Sequence, residues 1–297
     1  MHPSEGRRAQ PPKAASTGEL NRTGLSSQGR VLVCAGSDSG GGAGIQADIK
    51  AITALGGFAM TAITALTAQN TLGVHGVMGV PSDFIRLQIR VVLQDLGADA
   101  IKTGMLADSA TIEAVCDALA EFGPGIPLVA DPVMVAKGGH PLLAPEAVAT
   151  LRTRLLPMAA VITPNIPEAE ALSGIAIAGV ADMHRAADAL LGMGVRAVLL
   201  KGGHGTGAVL TDLLATRDGT EAFESPRIET RHTHGTGCTL ASALACGLAQ
   251  GMTLRDAVMR ARAYVRAAML AAPGFGAGHG PLGHGVTVDA SRLEDLS

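Results

Sequence analysis

The stretch Thr233-His234-Gly235-Thr236-Gly237-Cys238-Thr239 precedes a long Ala-rich run that reads as a helix. Glycines there let several backbone N–H groups converge, and the helix dipole adds positive potential, which makes an anion site without charged side chains. Cys238 falls in the first turn, where the same field is expected to lower a thiol's pKa. The segment equally suits a plain glycine turn beside a small buried cysteine. Asn165-Ile166-Pro167-Glu168 carries a helix-start signature, with Glu three residues after Asn and Pro in the first turn. The alternative is a pair of hard oxygen ligands able to hold hydrated Mg2+. Lys201 closes an apolar run and is followed by two glycines, so its ammonium either meets a phosphate as a point charge or extends to solvent. Asp131, before Pro132, is an acid for the same site or a turn former. Gln69 with Asn70 offers a heterocycle paired donor and acceptor, or caps a loop.

A second glycine loop lies in VLVCAGSDSGGGAGIQADIK (31–50), between an apolar run and a helical one. It has the placement of a phosphate loop, but the chain contains no Gly-Lys-Ser/Thr and therefore no Walker A motif. The one GxGxxG match, at 278–283, has no strand before it and contains Pro281. His232 and His234 read as neighbours on one strand face without a third ligand, so zinc is not expected. No GxSxG motif or Ser/His/Asp arrangement supports hydrolase chemistry.

These residues need a frame that places them together. β-rich runs at 31–35, 61–66, 100–102, 128–130, 160–162 and 197–200 alternate with helical stretches at 45–55, 83–96, 109–122, 145–155 and 183–193. That alternation predicts an α/β fold with a mostly parallel sheet and helices on both faces. The rhythm breaks at 208–214 and 221–228, two runs joined by Arg217-Asp218-Gly219, which predict an edge hairpin. Helices are expected at about 236–249 and 254–271. Ligands in such folds bind at the carboxyl ends of the strands. Gly36, Gln69, Asp131, Asn165 and Lys201 all fall at such ends.

Apolar residues make up 47% of the 297, enough for a packed core. Aromatic residues are 2%, with no Trp, and the formal net charge is −3, which removes both the stacking faces and the electrostatic pull that nucleic-acid binding requires. Charges, Gly and Pro interrupt every apolar run before about 18 residues, so no membrane span is predicted. The four cysteines form no CxxC pair or disulfide framework. Residues 1–29 lack periodicity and read as a flexible extension, and Arg7-Arg8 has no apolar stretch behind it that would make a signal peptide. Residues 30–297 read as one domain, and the expected setting is the cytoplasm.

Seven segments in order resemble the hydroxymethylpyrimidine/phosphomethylpyrimidine kinases of thiamine biosynthesis, members of the ribokinase-like fold. They are AGSDSGGGAGIQAD (35–48), ITALTAQNT (63–71), IKTGML (101–106), DPVMVAKGG (131–139), LLPMAAVITPNIPEAE (155–170), VLLKGGH (198–204) and THGTGCTLASALA (233–245). The resemblance covers about 30–284. It implies a pyrimidine pocket of Gly36, Asp48 and Gln69, and an anion hole at Gly235, Thr236, Gly237 and Cys238. It further implies a phosphate-facing Lys201 with Asp131 beside it, and an ATP and Mg2+ site at Asn165 and Glu168. Related sugar kinases place an Asp base where this chain has Cys238, which implies a thiolate base there. The implied reaction is ATP-dependent phosphorylation of 4-amino-5-hydroxymethyl-2-methylpyrimidine to its monophosphate and then its diphosphate, by a homodimer. Two departures stand out: the family loop commonly reads Asp-Pro-Ser-Gly-Gly against Asp38-Ser39-Gly40-Gly41-Gly42 here, and Lys137-Gly138-Gly139 has Gly where Ser is frequent. The nearest alternative is a pyridoxine/pyridoxal kinase, and a more distant one is a non-catalytic pyrimidine sensor on the same fold.

Overall fold

A computed structural model of the chain describes residues 28–136, 138–203 and 207–289. The extension expected at 1–29 falls almost wholly outside these residues, as do Lys137 and His204. The apolar runs become strands because their residues alternate between two cores. In β1 (Arg30–Asp38), Leu32 and Cys34 enter one core and Val31, Val33 and Ala35 the other, the two-sided burial that a central parallel strand requires. On one side β1 pairs in parallel with β2 (Phe58–Asn70), which in turn pairs antiparallel with β3 (Gly73–Gly79). On the other, β4 (Ala100–Thr103), β5 (Leu128–Ala130), β6 (Val161–Ile162) and β7 (Ala197–Leu200) extend the parallel run. β8 (Val209–Thr216) and β9 (Gly219–Pro226) close that edge as an antiparallel hairpin, giving the order β3-β2-β1-β4-β5-β6-β7-β8-β9.

The helices are α1 (Gly44–Ala54), α2 (Ser82–Asp95), α3 (Ser109–Phe122), α4 (Ala147–Thr150), α5 (Ile166–Ser173), α6 (Val180–Gly192), α7 (Thr236–Ala249) and α8 (Leu254–Leu270). Ile45 and Ile52 of α1 join Leu240, Leu244 and Val258 of α7 and α8 in the core on one face of the sheet. Ile85, Ile89, Ile112, Leu172 and Leu190 bring α2, α3, α5 and α6 to the other. The α/β sheet with its edge hairpin is therefore as the pattern predicts.

Three elements differ. The sheet carries a second hairpin, β2–β3, at its opposite edge, where Gly73-Val74-His75-Gly76-Val77-Met78-Gly79 lacks the apolar alternation of a strand and is mostly exposed. The single helix expected over 145–155 is one α turn that passes into a π turn at Leu151–Leu155 and a 3-10 turn at Leu156–Met158. Pro157 has no N–H to continue the ladder. His232 and His234 lie not on a strand but in the loop entering α7, with His234 bridged to Pro281.

Candidate active site

The parallel strands end at one edge of the sheet, and their loops enclose a cavity of about 760 Å3 with the segment before α7. Gly36, Gln69, Asp131, Asn165, Glu168, Lys201, Gly235, Thr236, Gly237 and Cys238 all line it. Asp48 does not.

One end is shaped by the loop after β1. Asp38 is buried and points back into its own loop, where its carboxylate accepts N–H bonds from Gly40 at 2.8 Å, Gly42 at 3.1 Å and Ala43 at 2.8 Å. The loop's amides are thus taken by an internal acid, in the manner of an Asx turn extended over three donors. Gly44 returns the chain beside Gly36 with φ +55°, where a Cβ would stand 2.4 Å from the Gly36 carbonyl oxygen, so only glycine makes this closure. Across the cavity, Gln69 is tied to the same loop: its N–H donates to Ser39 Oγ at 2.8 Å, and Ser39 Oγ donates to its carbonyl at 2.9 Å. His234 Nε2 lies 2.9 Å from Asp38 Oδ2 and 3.3 Å from the Gln69 amide. Burial opposes ionisation of Asp38, but bonds from His234, Ala43 and Gly40 outweigh it and hold the acid below the usual carboxylate range.

The other end holds opposite charges. Lys201 Nζ is 3.2 Å from Asp131 Oδ1, which also accepts the Thr163 hydroxyl at 2.9 Å. Burial works against the Lys201 ammonium, yet Asp131 and Glu168 together raise its pKa above the ordinary lysine value. Glu168 and Asn165 form the complete capping box of α5: the Glu168 N–H donates to Asn165 Oδ1 at 2.9 Å, and the Asn165 N–H to Glu168 Oε2 at 2.8 Å. Burial raises the Glu168 pKa, Lys201 pulls it back and Asp131 adds to the rise. At the head of α7 the cap is Gly235, with φ +82° and its Cα so close to Gly42 that a Cβ would lie 1.8 Å from that carbonyl oxygen. Neither Gly237 nor Cys238 finds an acceptor for its N–H among the described residues. A Cβ on Gly237 would sit 3.4 Å from Lys201 Nζ and 3.6 Å from Asp131 Oδ2, so the missing side chain brings both charges up to the helix end. No group of three or more His, Cys, Asp and Glu among the described residues is placed to hold a metal unaided.

Two expectations are corrected. Asp48 is not a pocket residue: it is fully buried on the inner side of α1, bound to Lys102 Nζ at 2.8 and 3.0 Å and to the Ser242 hydroxyl at 2.6 Å. Lys102 is equally buried, and its ammonium is held above the ordinary lysine range by Asp48 against the cost of desolvation. The second is the thiol of Cys238, which the helix field was expected to lower. Burial dominates and pushes it up to about 11, although Lys102 draws it down and the Gly44 N–H donates to it. Sequence reasoning missed Lys102, Ser242 and Thr163, and gave Asp38 and His234 no role. A lysine inside the four-residue apolar strand Ala100-Ile101-Lys102-Thr103 was the readable sign that a buried acid must exist.

A family model described as phosphomethylpyrimidine kinase matches residues 38–283. The hydroxymethylpyrimidine/phosphomethylpyrimidine kinase of Streptomyces coelicolor is 50% identical over 257 residues, 86% of this chain and 94% of that one. The thiamine biosynthesis bifunctional protein ThiED of Geobacter sulfurreducens is 50% identical over 265 residues, 89% of this chain, which spans 54% of that protein's length. The structure of an ADP complex of Bacillus subtilis pyridoxal kinase superimposes with a TM-score of 0.81 at 36% identity, covering 90% of this chain and 99% of that one.

Proposed function

The chain belongs to the phosphomethylpyrimidine kinase family, and we propose that it phosphorylates 4-amino-5-hydroxymethyl-2-methylpyrimidine to the monophosphate and then the diphosphate, with ATP as donor, for thiamine biosynthesis. The observation that carries this reading is the polarity of one cavity, with a neutral amide and glycine loop at one end and Lys201, Asp131 and an uncapped helix N-terminus at the other. Phosphoryl transfer is largely positioning and charge neutralisation, and such a division supplies both. Gln69 and Gly36 hold the ring. Lys201 and the N–H groups of Gly237 and Cys238 neutralise charge on the moving phosphoryl group. Cys238 takes the hydroxyl proton in the first transfer; the second acceptor is a phosphate, already anionic near neutral pH.

Asn165 and Glu168 would hold Mg2+, with Asp131 in reach of the same phosphates. Their oxygens are the hard donors this ion takes, and among the described residues no group of three or more ligating side chains gathers, so nucleotide phosphates would complete its coordination. Mg2+ supplies charge neutralisation to the phosphate oxygens when bound. Residues 30–297 are read as one kinase domain, supported by a continuous nine-stranded sheet. A homodimer in the cytoplasm is the expected form; no described helix is long and apolar enough to cross a membrane.

Incubation with Mg-ATP and the pyrimidine alcohol, with product analysis, tests the reading. Mono- and diphosphate are the expected products, and no phosphorylated pyrimidine overturns it. The resemblance to pyridoxal kinase structures supports pyridoxal as a second acceptor. A kcat/KM for pyridoxal above that for the pyrimidine would reverse the order of the two. Light scattering in solution tests the dimer.

A further inference from the structure

His234 is almost buried at the acceptor end, yet nothing in the transfer needs an imidazole there. Its hydrogen bonds determine something about Gln69. The Nε2 atom lies 2.9 Å from Asp38 Oδ2, a carboxylate oxygen that ordinarily only accepts. A bare Nε2 would set two acceptors against each other, so Nε2 carries the proton and gives it to Asp38. The same Nε2 lies 3.3 Å from the Gln69 amide nitrogen, which sets donor against donor; turning the amide over, an assignment the hydrogen-bond network decides, puts its oxygen there to share the Nε2 proton.

So turned, the amide nitrogen takes the place of the oxygen that lies 3.1 Å from Thr67 Oγ1. That hydroxyl can accept, because its own hydrogen goes to the Ser37 carbonyl at 3.0 Å. The Nε2 proton then lies between Asp38 Oδ2, its nearer acceptor, and the Gln69 oxygen, while the Thr67 proton goes to Ser37. The amide keeps one N–H and one oxygen lone pair for a ligand, in a fixed left–right order. The aminopyrimidine edge, an amino group next to a ring nitrogen, matches that pair. Pyridoxal has no amino group beside its ring nitrogen.

We propose that His234, anchored by Asp38, is a positioning residue that sets which way round the Gln69 amide faces the cavity, and so selects acceptor rings carrying a donor beside an acceptor. The proposal rests on the acceptor reading of Gln69 given above. Its scope is selectivity, since the phosphate end of the cavity is untouched.

The test uses the full chain and three measurements. Calorimetric binding of the hydroxymethylpyrimidine and of pyridoxal, without nucleotide, is compared for wild type, His234→Phe and His234→Gln. Removing the donor with Phe is expected to weaken pyrimidine binding about tenfold, the size of one misplaced hydrogen bond, and pyridoxal binding by less than about threefold. The Gln variant, which restores an N–H donor, recovers most of the pyrimidine affinity, and the KM for Mg-ATP stays within about twofold throughout. Equal losses for both ligands, or equal losses in Phe and Gln variants, overturn the proposal and leave His234 as packing. The third measurement needs no variant: nitrogen-15 resonances of wild-type His234 should show the proton on Nε2, and a proton only on Nδ1 overturns the argument at its first step. A wild-type chain that binds no pyrimidine overturns the function reading together with this inference. Normal wild-type binding with unchanged selectivity in His234→Phe overturns the inference alone.

Discussion

Two glycine-rich loops lead into helix N-termini at this site, and they treat their amides in opposite ways. The loop after β1 turns its N–H groups on Asp38, so its donors are satisfied within the protein. The turn Thr233-His234-Gly235 before α7 contains no acid, and the N–H groups of Gly237 and Cys238 meet no protein acceptor among the described residues. Glycine supplies backbone freedom to both; what decides whether a loop receives an anion is whether the sequence also supplies an internal one. The loop with more glycines is the one that is already filled.

The largest expected effect lies at the open loop. Lys201→Ala removes the cation beside it, and kcat should fall about 10²–10³-fold, the cost of one lost transition-state donor. A loss below tenfold would separate Lys201 from the transferred group. Gly235→Ala should cost about 3 kcal/mol or more in urea unfolding, because it combines a positive φ with a Cβ 1.8 Å from the Gly42 carbonyl oxygen. In the filled loop, Gly41→Ala has φ +74° but only Lys50 Nζ nearby, at 3.4 Å, and should cost about 1 kcal/mol. Similar costs at the two positions would show that the loops do not depend on each other's close approach.

Asp38→Ala strands three N–H groups and His234, and about 2–4 kcal/mol of stability should go with them. Since Asp38 is held below its usual pKa, its contribution is complete above the unfolded-state value near 4 and drains away as pH falls through the lower folded-state value. Asp38→Asn should therefore flatten the acid side of the stability curve, and parallel curves for the two proteins would refute the assignment. The smallest and most selective effect is expected at Cys238. With its thiol near 11, the thiolate fraction grows about tenfold per pH unit through the neutral range, so the first transfer should quicken with pH where chemistry limits it and the second should not. Cys238→Ser should slow the first transfer about tenfold more than the second; equal loss in both removes the base.

Most of the frame was legible because its strands are short, aliphatic and separated by helices of helical period. β3 was not: it has three glycines in seven residues and is held by its register with β2, not by burial. That Lys201, Asp131 and Asn165 line one cavity was readable from their places just past strand ends; the phosphate role proposed for them came from the resemblance. Asp48 was misplaced because its position in the helix after the loop put it near the pocket, while the partner that turns it inward lies 54 residues on. The Cys238 field was visible in the sequence, but the burial that overrides it exists only after packing.

The Asp48–Lys102–Ser242 contact also bears on how the protein is made. It joins α1, β4 and α7, and its last member lies 194 residues after its first. During synthesis Lys102 follows Asp48 by 54 residues, and the hydroxyl and the helix that seal them from water follow 140 residues after Lys102, roughly ten seconds later at common elongation rates. In that interval the charged pair faces solvent on an uncovered sheet, beside the apolar surface that α7 later buries. The cavity, lined in part by 233–238, is completed only when the C-terminal third arrives.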